Sequence, residues 1–357
     1  MMGLLAFLIL LPAIVFVHEF GHFLFARING VKVEAFSIGF GKSIASWVDK
    51  YGTAWKICII PLGGYVKMLG QSDTPETVEE KKESIKKLTK EEKAQSFEFK
   101  KRYQKSSIVA AGPVFNFIFG FIIFFTLFFF VGKSDTSSVV ADVVKNSPAY
   151  IAGIKSGDVI AKINNQEILE PQSIGKIIQE MNGSALKLEI MRENKIIPIT
   201  ITPKKENEKY FIGISYSPKF NGYKKIGFIS SIKLAYNKTS DIVSETLKAL
   251  CEIFTGSRSS KELGGVISIA KVSGHALSAG FYSFMYLMAF ISISLGLFNL
   301  FPIPVLDGGY LLIYAIEGII RKDLPEKVKE KMFFIGFMFI IFLLLLSNIN
   351  DIIRIFE

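Results

Sequence analysis

The chain has 357 residues, 50% of them apolar and 33 of them Phe, with a mean hydropathy of +0.38, which is too apolar for an ordinary soluble globule. Charged residues make up 21%, which excludes disorder, and two cysteines, Cys58 and Cys251, are too few for a disulfide framework or a thiolate metal site. The net charge of +10 comes from scattered lysines with no basic helix interleaved with stacking aromatics, so no nucleic acid is expected as a partner and the charge reads as membrane orientation.

Four stretches are long enough for a hydrocarbon core of roughly 30 Å, which takes about 20 helical residues. They run approximately from Leu4 to Ala26, Ile108 to Val131, Phe281 to Leu300 and Met332 to Ile349. The first has no preceding basic residue and continues through Phe23, Leu24, Phe25 and Ala26 without a small-residue cleavage site, so a retained span is expected and not a signal peptide. The expected fold is a polytopic α-helical membrane protein of about four transmembrane helices, with the lipid bilayer as its solvent.

Lys81, Lys82, Lys86, Lys87, Lys90, Lys93, Lys100, Lys101, Arg102 and Lys105 follow the first span, and Arg321, Lys322, Lys327, Lys329 and Lys331 follow the third. Both segments read as cytoplasmic by the positive-inside rule. Both termini and the segment from Gly132 to about Ala279 then lie outside. The expected order is a first half of the membrane core over 1–131, a small α/β domain over 137–204, a helical outer region over 205–278 and a second half of the core over 279–357. The α/β domain is drawn from alternating strands between Ser138 and Thr202, turn signals such as Gly157-Asp158 and Asn182-Gly183, and one helix from Ile174 to Met181. Ile226 to Phe254 has apolar residues at helical spacing, compatible with a helix on protein or on the membrane surface.

His18-Glu19-Phe20-Gly21-His22 lies within the first span. Four residues apart on a helix, the two imidazoles project from one face, as two ligands of a tetrahedral zinc require. Glu19 stands beside them, where a carboxylate takes the proton of a water attacking a carbonyl. An ionisable residue at bilayer depth costs at least about 2.5 to 3.5 kcal/mol, so such a cluster lines a polar site or glues helices together. Zinc needs a third protein ligand. His275 is placed on the outer side and is a poor candidate. Asp307 is isolated in the apolar run Asn299-Leu300-Phe301-Pro302-Ile303-Pro304-Val305-Leu306-Asp307-Gly308, and either supplies that ligand or caps the helix resuming at Gly309.

Hydrolysis of a peptide bond in a membrane helix requires local unwinding, and the freed backbone groups need partners. An exposed strand edge provides them. Ala54 to Ile60, including Ile57 and Ile59, reads as a hairpin strand, with Gly39 and Gly41 permitting a tight turn. The bland reading of the same residues is a plain cytoplasmic hairpin.

Together these residues resemble the site-2 intramembrane metalloproteases, in particular their bacterial RseP-like branch. The resemblance extends over nearly the whole chain. It includes Gly39-Phe40-Gly41, Pro61-Leu62-Gly63-Gly64-Tyr65-Val66-Lys67, Ala111-Gly112-Pro113-Val114-Phe115-Asn116, and a PDZ-like domain carried by Ser147-Pro148-Ala149, Ala152-Gly153 and Gly157-Asp158-Val159-Ile160. It implies one Zn2+ held by His18, His22 and Asp307, Glu19 as general base, Asn299 and Asn116 as substrate or oxyanion contacts, and a re-entrant β-hairpin that captures substrate by strand addition. It implies a multi-pass protein of the bacterial inner membrane that cleaves single-span substrates, namely trimmed anti-sigma factors and remnant signal peptides, with peptide ligands for the PDZ-like domain. Two departures stand out: Val266 in Leu263 to Ala270 where the family usually has Pro, and Tyr310 where it usually has His. The competing readings are a non-catalytic PDZ membrane adaptor and an ion or proton translocator using Glu19 and Asp307.

Overall fold

Long uncharged runs cannot leave backbone polar groups unpaired in lipid, so they fold as helices. The structure, a computed structural model, describes residues 2–70, 88–168, 173–193, 195–206, 209–259 and 264–356. Lys81, Lys82, Lys86 and Lys87 of the basic loop, and Leu263, lie outside the described residues. In chain order come α1 (Met2–Ile28), β1 (Val33–Val48), β2 (Ala54–Met68), α2 (Lys90–Gln95) and α3 (Arg102–Thr126), which runs into a π-helical turn, Leu127–Val131. Then follow β3 (Lys133–Val143), α4 (Pro148–Ile151), β4 (Val159–Ile163), β5 (Gln166–Glu167), α5 (Ser173–Glu180), β6 (Leu186–Arg192), β7 (Lys195–Ile201), β8 (Lys204–Glu206), β9 (Lys209–Phe211) and β10 (Ile214–Lys224). The chain ends with α6 (Phe228–Phe254), α7 (Val266–Ser278), α8 (Phe281–Asn299), α9 (Asp307–Ile320) and α10 (Glu326–Phe356). Four helices among the described residues are long and apolar enough to cross a membrane: Met2–Ile28, Arg102–Val131, Phe281–Asn299 and Glu326–Arg354.

Two units emerge, and the first comprises 1–127 and 232–357. Its helices approach at small residues, as helices in lipid do when packing replaces the hydrophobic drive. A Cβ on Gly21 of α1 would lie 2.5 Å from the Ala111 carbonyl oxygen of α3, and one on Gly120 of α3 would lie 3.0 Å from the Ala289 carbonyl oxygen of α8. At the departures from the family pattern, the helix opened by Val266 has its Ser268 N–H bound by Asp351 of α10 at 2.9 Å, while the Tyr310 ring packs 4.9 Å from that of Phe333.

The hairpin is more folded than two straight strands. Phe36 lies opposite both Val66 and Trp55, and Ile57 opposite both Ile38 and Ala45. Each strand bends, at Gly39 and Gly41 (φ 87° and 85°) and near Gly63 (φ 148°), giving four rows in the order 43–48, 54–58, 33–38 and 64–68. Ile57 therefore sits in an inner row with neighbours on both sides, and does not offer the open edge expected of it. The edges belong to 43–48 and 64–68. At the hairpin tip, the Arg27 guanidinium of α1 lies 4.1 Å from the Tyr51 ring centroid and donates to Thr53 Oγ1 at 3.3 Å. At the bend, a Cβ on Gly64 would lie 3.0 Å from Glu19 Cγ.

The second unit comprises Phe128–Ser231. Its sheet has the order β10-β3-β4-β6-β7, with β5 on β4. Leu186, Leu188 and Ile190 alternate inward along β6 and pack with Val140, Ile160, Ile163, Ile174 and Ile212. The sheet reaches Lys224, and Lys204–Glu206, Lys209–Phe211 and Ile214–Lys224 are strands where loop and helix were expected. Ser215, Pro218, Asn221 and Gly222 weaken the strand signal of β10, whose partner β3 lies far upstream in the sequence.

A candidate metal centre

The α1 helix carries His18, Glu19 and His22, and its 3.6-residue period turns both imidazoles toward α3. On α3, Gly112 lacks the Cβ that would collide with those rings. After α8 the chain leaves helical geometry at Asn299 and returns at α9. Val305 has φ 96°, a conformation that costs a β-branched residue about 1 to 3 kcal/mol and that clusters at functional sites. The capping reading of Asp307 fails: Leu306 holds the N-cap position and Asp307 is the first helical residue.

Its carboxylate faces the histidines instead. Asp307 Oδ2 lies 3.2 Å from His18 Nε2 and 3.5 Å from His22 Nε2, and the two nitrogens are 3.2 Å apart. Tetrahedral zinc with bonds of 2.0 to 2.2 Å sets its ligand atoms about 3.3 to 3.5 Å apart, so this triangle matches one face of such a site. His22 Nδ1 donates to the Ile108 carbonyl at 2.9 Å, which leaves the Nε2 lone pair directed at the carboxylate. A lone pair and a carboxylate oxygen face to face require positive charge between them, and the donor set suits a metal cation. His18, His22 and Asp307 are the one such group among the described residues, and His275, in α7, is not part of it.

Asn116 of α3 is fully buried with Nδ2 3.3 Å from His18 Nδ1, and its main-chain carbonyl accepts from Ser292 Oγ of α8 at 2.9 Å. Asn299, half-buried, is the last residue of α8. Gly39, Gly41, Ile57 and Ile59 lie in the hairpin, but it is Gly64 that meets Glu19. Sequence reasoning missed the contacts of Gly21, Gly64 and Gly112, although all three residues lie within the motifs singled out. It also missed a cleft of 410 Å³ between β10 and α5, lined by Ile174, Ile178, Tyr210, Gly213, Ile214 and Tyr216. The signal for that cleft lay in Ile212, Ile214 and Tyr216, which alternate with Gly213 and Ser215 in a segment expected to be loop.

Comparison with known proteins is consistent with this geometry. Residues 6–343 match the family described as Peptidase family M50. A protein of Rickettsia conorii named "Putative zinc metalloprotease" is 36% identical, with 100% of each chain covered. One of the same designation from Clostridium perfringens is 36% identical over 98% of this chain and 97% of its own. Another, from Agrobacterium fabrum, is 33% identical over 97% and 94%. This multi-pass membrane chain belongs to Peptidase family M50.

Proposed function

We propose that the protein is a zinc-dependent intramembrane endopeptidase that cleaves single-span membrane proteins, with His18, His22 and Asp307 as ligands and Glu19 as general base. The observation that carries this reading is the triangle of donor atoms that His18 and His22 of a membrane-spanning helix form with Asp307 at the start of α9, with a carboxylate one residue from the first ligand. Bound zinc supplies a Lewis acid that polarises the scissile carbonyl and acidifies a water. Glu19 takes the proton of the attacking water and returns it to the leaving amine. Ile108 fixes His22 through its Nδ1–H, and Asn299 at the end of α8 is assigned to substrate contact.

The hairpin is assigned a re-entrant, substrate-aligning role. Its tip is tied to Arg27 and its bend reaches Glu19, about 12 Å farther along α1 at 1.5 Å per residue. Exposed Ile44, Trp47, Val48 and Ile59 give it an apolar exterior suited to lipid. The row 64–68, with one open side and Gly64 beside Glu19, is the edge at which an unwound substrate would add as a strand. The Phe128–Ser231 unit is assigned as a PDZ-like module whose β10–α5 cleft takes a peptide and which excludes substrates with bulky outer domains. The basic segments around α2 and after α9 are assigned to the cytoplasm of a bacterium, with the termini and the sheet domain outside. The substrates are single-span anti-sigma factors and remnant signal peptides.

The reading is tested by proteomic comparison of membrane fragments from cells carrying the native chain or Glu19→Gln. Fragments cut within membrane spans are expected only with the native chain. Identical fragment sets would favour a non-catalytic PDZ adaptor.

A further inference from the structure

Both histidines of the centre lean on α3 through Nδ1, and the two supports differ. His22 has the Ile108 carbonyl at 2.9 Å, an unambiguous acceptor. His18 has the Asn116 amide at 3.3 Å, and an amide presents a donor or an acceptor according to a half-turn of its terminal torsion. With Nδ2 toward His18, the imidazole must accept at Nδ1 and carry its proton on Nε2, the atom 3.2 Å from both His22 Nε2 and Asp307 Oδ2. That tautomer cannot bind a cation through Nε2. Asn116 Oδ1 is meanwhile buried with no hydrogen-bond partner among the described residues. One amide atom lacks a protein partner in either orientation, so the histidine decides between them.

We propose that Asn116 is the positioning residue for His18, its Oδ1 accepting the Nδ1–H so that the Nε2 lone pair points into the centre. This rests on the metal-centre reading of the proposed function. Asn116 is itself held rigidly. Its main-chain carbonyl accepts from Ser292 Oγ at 2.9 Å, and Gly296 packs so closely that a Cβ there would lie 3.2 Å from Asn116 Cβ. Helix α8 thus braces Asn116, Asn116 orients His18, and three helices converge on one ligand. Partners of this kind set both the tautomer and the ring orientation of a ligand.

The test compares Asn116→Asp, which keeps an acceptor in the same place, with Asn116→Leu and Asn116→Ala, which remove it. Zinc affinity of the purified full-length protein is measured by competition with a chelator, alongside thermal unfolding of the zinc-free forms. Affinity should fall about 10- to 100-fold in the Leu and Ala variants and stay near wild type in the Asp variant. Wild-type affinity in Leu or Ala variants that fold, or equal losses in all three, would overturn the proposal. Should neither apolar variant fold, nitrogen NMR of the wild-type zinc form decides: His18 Nδ1 must carry a proton, and an unprotonated Nδ1 refutes the assignment. A wild-type protein that binds no zinc would instead defeat the metal-centre reading.

Discussion

Gly112 leaves open the space that His22 fills: a Cβ on Gly112 would lie 2.6 Å from His22 Cε1, and 2.9 Å from His18 Cε1. The approach of α3 to α1 is therefore set by the absence of a side chain at the point where the two histidines emerge.

Gly112→Ala should force the rings or the helix aside. A displacement near 1 Å at a reacting centre costs about 100-fold in rate. Cleavage in membranes should fall by that order, with zinc affinity reduced and membrane insertion intact. Normal turnover in the variant would show that the helices have room to separate.

Gly64 bears on the hairpin in the same way. A Cβ there would lie 2.6 Å from the Ser37 carbonyl oxygen and 3.0 Å from Glu19 Cγ. Gly64→Val should shift the bend away from Glu19 and lower cleavage at least about tenfold, while zinc per chain is unchanged because no ligand is touched. Loss of zinc in this variant would mean that the bend helps hold the metal.

The sheet domain should be acid-sensitive through Asp158. Arg192 clamps its buried carboxylate with Nε to Oδ1 at 2.6 Å and Nη2 to Oδ2 at 2.7 Å, and the Lys155 N–H adds a bond at 2.8 Å. Burial alone would raise the carboxyl, but the Arg192 and Lys155 hydrogen bonds outweigh it and hold it below the ordinary carboxylate range. A folded pKa below the unfolded one gives stability that is full above about pH 4 and lost as pH falls through the folded value. Pulsed hydrogen exchange along β4 and β6 during urea unfolding should show this loss in the wild type. In Asp158→Asn the sheet should be weaker at neutral pH, without that acid-dependent component. A wild-type profile as flat as that of the variant would refute the linkage.

Cys251 is exposed on α6, while Cys58 is buried in the hairpin with Sγ 3.3 Å from Ser37 Oγ. A membrane-impermeant thiol reagent applied from outside should label Cys251 alone. Reaction only after permeabilisation would reverse the assigned orientation.

The spanning helices were legible because lipid leaves few alternatives to a long apolar helix, and Phe281–Asn299 falls within one residue of the span read from composition. The shared face of His18 and His22 was legible because their four-residue spacing fixes it, whereas the place of Asp307 beside them came only as what the family resemblance implied. The four-row hairpin was not, because its register depends on bends at Gly39, Gly41 and Gly63 that bring Ile57 between two neighbours. Nor was β10, whose polar residues become a strand only against β3. The contact of Asn116 with His18 joins positions 98 residues apart, and no local pattern encodes which polar atom of one helix meets which ring of another.

Metal content and peptide hydrolysis, measured on the same preparations of wild type, Glu19→Gln and Asp307→Ala, test the central claim most directly. One zinc per chain is expected in the wild type and in Glu19→Gln, hydrolysis only in the wild type, with a loss of at least about 100-fold for Glu19→Gln, and neither zinc nor hydrolysis in Asp307→Ala. Undiminished zinc in Asp307→Ala, or hydrolysis by Glu19→Gln at the wild-type rate, would contradict the account.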